Sequence, residues 1–253
     1  MSDRVLAGRT AVVTGGSRGI GRAVVERLTA DGADVVFGYA RDEEAAAEVL
    51  RAVAANAPAG AGRAHAVRVD LGEPDGADRL MAAAEEELGG LDILVNNAAR
   101  GFTRASLAET DPAEFDAVLA VNTRAVFLTL RYAARRMRDG GRIVNISTLN
   151  TRRPVPGIAA YLASKGALEQ LTEAAALELG PRGITANTVS PGPIETDLLR
   201  SVNPPQALET VAGMTPLRRL GQPADVADVV AFLVGPDGRW VSGQNLGATG
   251  GLR

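Results

Sequence analysis

Short apolar runs alternate with longer segments of helical period along the whole chain, and this alternation constrains the fold more than any other feature. The runs occupy 10–14, 34–39, 64–69, 93–95, 142–146, 185–189 and 244–246. Most are rich in Val and Ile, as suits strands buried on both faces. Between them, 20–30, 43–55, 77–88, 112–137, 158–179 and 224–234 carry apolar residues at three- and four-residue steps, the period of an amphipathic helix. Parallel strands need crossover connections, and crossover helices cover both faces of the sheet. No repeat, low-complexity tract or Pro/Gly/Ser linker divides the 253 residues. The expectation is one α/β domain, a doubly wound parallel sheet of about seven strands with helices on both faces. The stretch 195–215, with Pro204 and Pro205, breaks the rhythm and reads as a lid over a cleft.

Composition removes several classes of function. The net charge is −3 with no basic block, which argues against nucleic acid as a partner. Cysteine is absent, so disulfides, thiolate zinc sites and thiol catalysis are excluded. The chain begins Met-Ser-Asp-Arg with no apolar signal segment and has no membrane-spanning stretch, so a cytoplasmic location with no membrane partner is expected. His65, the only histidine, lacks the sequence neighbours that metal or triad chemistry needs. Arg131, Arg135, Arg136 and Arg138 read as a solvated helix end, with docking of an acidic carrier protein as the alternative. Trp240 reads as a packing residue.

Directly after the first strand comes Thr14-Gly15-Gly16-Ser17-Arg18-Gly19-Ile20-Gly21, opening a helix. Glycines there allow a tight turn and close approach to a pyrophosphate held at the helix N-terminus. The second strand ends Gly38-Tyr39-Ala40-Arg41, with no carboxylate before Asp42. An acid at that point would hold a ribose 2′-hydroxyl, whereas arginine accommodates a 2′-phosphate. Arg18 and Arg41 together therefore point to NADP(H).

Of 27 basic residues, only Lys165 is lysine. An ammonium and a guanidinium are not interchangeable, so its retention in an arginine-rich chain is informative. Lys165 lies four residues after Tyr161, on the same helix face. A free phenol titrates near pH ~10, and a nearby ammonium favours the phenolate, so the pair suits proton transfer.

Asn96-Asn97-Ala98-Ala99, Tyr161-Leu162-Ala163-Ser164-Lys165 and Ser190-Pro191-Gly192-Pro193-Ile194-Glu195-Thr196 follow the glycine turn in order. With that turn they make the chain resemble the short-chain dehydrogenase/reductases, nearest the bacterial 3-oxoacyl-carrier-protein reductases and related ketoreductases. The resemblance implies a Rossmann-type fold and NADP(H)-dependent interconversion of a ketone or β-keto group and an alcohol. The substrate would be a small molecule, free or carrier-bound, and the assembly a homotetramer built on the long helices. Tyr161, Lys165, Asn122 and a hydroxyl thirteen residues before the tyrosine would form the catalytic group. That count falls on Thr148, where the family usually has serine, with Ser147 adjacent as the alternative. Cofactor contacts carried over are Gly15, Ser17, Arg18, Gly19, Ile20, Gly21, Arg41, Asp70, Leu71, Asn97, Tyr161, Lys165, Ile194 and Thr196. A non-catalytic NADP-binding protein, or a reductase of imines or enones, remains the alternative, since fold does not fix function. Substrate choice would rest on 100–106, 150–157 and the lid.

Overall fold

The computed structural model describes residues 4–201 and 203–252. Seven strands form one all-parallel sheet: β1 (Thr10–Val13), β2 (Asp34–Tyr39), β3 (Ala64–Arg68), β4 (Leu91–Asn96), β5 (Met137–Ile146), β6 (Thr185–Pro191) and β7 (Asn245–Ala248). Their order is β3-β2-β1-β4-β5-β6-β7. The helices are α1 (Gly19–Ala30), α2 (Glu43–Ala55), α3 (Gly76–Leu88), α4 (Pro112–Leu119), α5 (Ala125–Arg136), α6 (Ala159–Leu179), α7 (Asp197–Ser201), α8 (Pro205–Met214) and α9 (Pro223–Val234).

Strand alternation splits the core into two layers. Ala11, Val13, Val35, Phe37, Ile93 and Val95 face α1, α2 and α9, packing with Val24, Leu28, Val49 and Val230. Their neighbours Val12, Val36 and Leu94 face α3, α5 and α6, packing with Leu80, Met81, Leu130 and Leu168. Full burial of one such side chain contributes about 1.5–3 kcal/mol. Val- and Ile-rich runs apolar in both directions are what a sheet covered on both faces requires. The chain reverses its winding between β1 and β4, so the loops after these two strands diverge and leave a crevice.

Two expectations need correction. The segment 112–137 is not one helix: a π turn at Ala120–Arg124 separates α4 from α5, and its side chain Asn122 is fully buried. Apolar periodicity runs through such an insertion and cannot reveal it. The segment 195–215 holds two helices, α7 and α8, and Val202 lies outside the described residues. Trp240 is 96% exposed and so is no core residue. Among the described residues, no helix is long and apolar enough to cross a membrane.

The amino-terminal edge of the sheet is fastened by Asp92, which is 4% exposed. It accepts from the Thr10 N–H at 2.9 Å, Arg9 Nη1 at 3.1 Å and Arg138 Nη1 at 2.8 Å. Arg138 therefore belongs to β5 and to this cluster rather than to a solvated helix end. Burial alone would raise the Asp92 carboxyl, but the Thr10 hydrogen bonds and the Arg138 and Arg9 guanidinium groups outweigh it and hold it below the usual range. A depressed carboxyl stabilises above its unfolded-state value and loses that contribution as pH falls through its folded value. Asp92→Asn should thus cost about 1–3 kcal/mol near neutral pH in denaturant unfolding. The difference from wild type should shrink below pH ~4, where the unfolded carboxyl also protonates.

Candidate active site

The site forms where the carboxyl ends of β1, β4, β5 and β6 open into a cavity of about 890 Å³. Its floor at one end is the glycine turn. Gly15 has φ +67°, and a Cβ there would lie 2.9 Å from Ala98 Cα. Gly21 is the tightest position, since a Cβ would sit 2.1 Å from the Gly15 carbonyl oxygen. Gly21 therefore lets α1 approach the turn from behind and does not line the cavity, unlike Gly15, Ser17, Arg18, Gly19 and Ile20. Among the described residues no side chain caps α1, so its first N–H groups are open to an anion, the arrangement a pyrophosphate needs.

The turn is held from β4. Asn97 donates its side-chain amide to the carbonyls of Thr14 and Gly15 at 3.0 and 2.9 Å, and its N–H donates to Thr14 Oγ1 at 2.9 Å. Its amide is thus committed to the turn, beyond the ribose contact that the resemblance implies. Asp70 Oδ1 accepts from the Gly72 N–H at 2.8 Å, and Asp70 and Leu71 line the same end of the cavity. Arg18 pairs with Asp42, which also caps α2 by accepting from the Ala45 N–H. Its other nitrogen lies 3.8 Å from Asp197 at the start of α7. Arg41 is exposed and forms no ion pair among the described residues, so of the two arginines it is the uncommitted cation. Ile194 and Thr196 close the far wall, Thr196 Oγ1 accepting from the Leu199 N–H at 3.3 Å.

At the centre, α6 presents Tyr161 and Lys165 on one face, 7% and 2% exposed. Lys165 Nζ donates to the Ile146 carbonyl at 2.7 Å, the end of β5, and lies 5.8 Å from the Tyr161 ring centroid. Desolvation pushes the Lys165 ammonium down to about 8, with the charge of Glu169 opposing that fall. Burial pushes the Tyr161 phenol up to about 12, and a hydrogen bond with Thr148 works against it. The expected lowering of the phenol by the ammonium is not seen, because burial dominates and the ammonium is turned to a carbonyl.

Thr148 and Ser147 both border the cavity but their hydroxyls diverge, that of Thr148 being directed at the Tyr161 phenol. Ser147, one residue earlier on an extended backbone, donates to Glu169 Oε1 at 2.5 Å. Asn122 does not line the cavity. Its Oδ1 accepts from the Arg100 N–H at 2.7 Å, and its Nδ2 donates to Ser164 Oγ at 3.1 Å, pinning the loop after β4 to α6. Its side chain is thus bonded to Arg100 and Ser164 rather than directly to Lys165. Phe102, with its ring 5.0 Å from the Tyr161 ring, and Val155, Leu198, Val211 and Met214 make the apolar wall of the cavity. Sequence reading placed these only as segments; Phe102, the lone aromatic in 100–106, was the available signal. His65 lies in β3 with Nε2 3.1 Å from Glu87 and does not line the cavity.

Known proteins supply an independent view. A family model described as Enoyl-(Acyl carrier protein) reductase matches residues 15–253. Versicolorin reductase 1 of Aspergillus parasiticus is 40% identical, over 99% of this chain and 99% of that protein. A short chain dehydrogenase from Burkholderia cenocepacia, crystallised in complex with NADP, is 41% identical with a TM-score of 0.89, covering 97% of this chain and 98% of that one. The angucycline C-6 ketoreductase LanV with bound NADP is 40% identical with a TM-score of 0.89, covering 97% and 96%.

The turn provides a direct test of how the site is built. In Gly21→Val the side chain meets the Gly15 carbonyl, so α1 must move off the turn. NADPH affinity, read by fluorescence titration, should fall at least about tenfold, equivalent to about 1.4 kcal/mol.

Proposed function

The chain belongs to the short-chain dehydrogenase/reductase family as an NADP-dependent oxidoreductase of carbonyl and alcohol groups, and from that premise we propose that it reduces a ketone or β-keto group of a small apolar substrate through Tyr161, Thr148 and Lys165. The observation that carries the reading is the juxtaposition of a buried phenol, a hydroxyl and an ammonium in one cavity with the glycine turn.

The residues present fit NADP(H). The uncapped start of α1 and the Gly15–Gly19 turn suit the pyrophosphate, and Arg41 and Arg18 suit the 2′-phosphate. NADPH, when bound, supplies the hydride. Tyr161, held protonated by burial, donates its proton to the carbonyl oxygen as negative charge develops there. Thr148 donates a hydrogen bond to the same oxygen and orients it toward the phenol. Lys165 uses one of its three N–H donors on Ile146, leaving two for the ribose hydroxyls, and its charge favours the phenolate left by proton transfer. The apolar wall of Phe102, Val155 and Met214 excludes water around the reacting carbon. The apolar face of α4, α5 and α6 bearing Leu119, Phe127 and Leu171 supports assembly into a homotetramer. The same site would accept a carrier-bound β-keto group if its acyl chain entered along this wall.

Tyr161→Phe should abolish NADPH oxidation on a panel of ketones while leaving NADPH fluorescence quenching intact; full activity in that variant would overturn the mechanism. Thr148→Ala should lose about 100-fold in kcat, whereas Thr148→Ser, which keeps the hydroxyl, should stay near wild type.

The pH dependence follows from Lys165. The ammonium is charged below about 8 and lost above it. Reduction, which needs both the phenol proton and the ammonium, should hold at neutral pH and fall as pH rises through that value in kcat profiles. Arg41→Ala should weaken NADPH about tenfold or more and leave NADH affinity unchanged, the expected loss for a charged hydrogen bond.

A further inference from the structure

Glu169 lies one helical turn beyond Lys165, behind the cavity, and does not line it. Its carboxylate is the meeting point of three parts of the site. Oε1 accepts from Ser147 Oγ at 2.5 Å and from Thr151 Oγ1 at 2.7 Å. These two residues bracket Thr148, on the segment that leaves β5. The same carboxylate faces the helix turn that carries Lys165.

Lys165 is 2% exposed, and its one acceptor among the described residues is a neutral carbonyl. An ammonium in that setting is expensive to keep charged unless an anion is near. Its own helix offers Tyr161, which is protonated, and Glu169. The end of β5 offers only the Ile146 carbonyl and the hydroxyls of Ser147 and Thr148, and the π turn offers the neutral amide of Asn122. The charged side chains that line the cavity exert no resolved pull on the ammonium. Glu169 is the one charge that does.

We propose that Glu169 is a positioning residue with two linked tasks: its negative charge keeps the Lys165 ammonium charged beside Tyr161, and its hydrogen bonds from Ser147 and Thr151 hold Thr148 toward the phenol. The proposal rests on the catalytic reading of Tyr161, Thr148 and Lys165 for its consequence, though not for its geometry. The anchoring also explains why Ser147 is unavailable to substrate, since its only proton is directed to the carboxylate.

Because Lys165 is the only lysine, protein labelled with 13Cε-lysine gives one resonance that reports its titration directly. Glu169→Gln keeps an oxygen that accepts from both hydroxyls and removes only the charge. The Lys165 midpoint should fall by about one pH unit or more in that variant, and the falling limb of the reduction profile should move to lower pH with it. Glu169→Asp, which keeps the charge on a stem one methylene shorter, should titrate between the two. An unchanged lysine midpoint in Glu169→Gln overturns the proposal, because a purely structural anchor would leave it in place. Should Glu169→Gln fail to fold, an unchanged midpoint in Glu169→Asp overturns it equally. The resonance requires no turnover, so an active Tyr161→Phe enzyme would sink the catalytic reading while leaving this coupling intact.

Discussion

Burying the ammonium of Lys165 is the constraint around which the carboxyl edge of this sheet is organised. Moving such an ion out of water costs several kcal/mol even after relaxation, and the 2% exposure of Lys165 leaves little solvent to offset it. The repayment comes from fixed neighbours: the last carbonyl of β5 at 2.7 Å and the carboxylate of Glu169 a turn away. Both work only if α6 and β5 hold one register. The buried polar chain between them supplies that register. Asn145 Nδ2 donates to Thr172 Oγ1 at 2.8 Å, Asn96 Nδ2 donates to Asn145 Oδ1 at 2.8 Å, and Thr129 Oγ1 reaches Asn96 Oδ1 at 2.8 Å. Strands β4 and β5 are thereby tied to α5 and α6 by groups that would be costly if left unpaired.

The opposing directions of the two central titrations follow from the same burial. Desolvation disfavours the charged form of any group, so it raises a phenol and lowers an ammonium. At neutral pH this leaves Tyr161 with its proton and Lys165 still charged, which is the protonation state a reduction begins from. A solvent-exposed pair would have a more acidic phenol but would lose the dry wall that Phe102 and its neighbours provide. The structure favours exclusion of water over a ready phenolate.

The fold was legible because its cause is periodicity. Runs such as Val35-Val36-Phe37 are apolar in both directions, and only a sheet covered on both faces buries them all. The glycine turn and the Tyr161–Lys165 pair were legible because their spacing is local: a strand end, a helix start, one helical turn. The π turn at Ala120–Arg124 was hidden, since one inserted residue barely disturbs an apolar stripe. The double commitment of Asn97 and the pairing of Arg18 with Asp42 were hidden too, because each depends on partners brought from other elements by the fold. Glu169 gave no signal at all. A glutamate on a helix reads as surface, and nothing in the order of residues says that Ser147 and Thr151 will converge on it.

The choice between Ser147 and Thr148 shows where local counting gains its force. Successive residues on an extended backbone point to opposite sides, so a slip of one residue at the end of β5 would exchange the hydroxyl directed at Tyr161 for the one directed at Glu169. What fixes the phase is upstream: Ile146 must give its carbonyl to Lys165, while its side chain and that of Val144 pack in the layer of α1 and α9. With that settled, Ser147 falls toward Glu169 and Thr148 toward Tyr161. The extra methyl of threonine narrows the rotamers open to its hydroxyl. That restriction suits a group whose neighbours on both sides, Ser147 and Thr151, are already tied to one carboxylate.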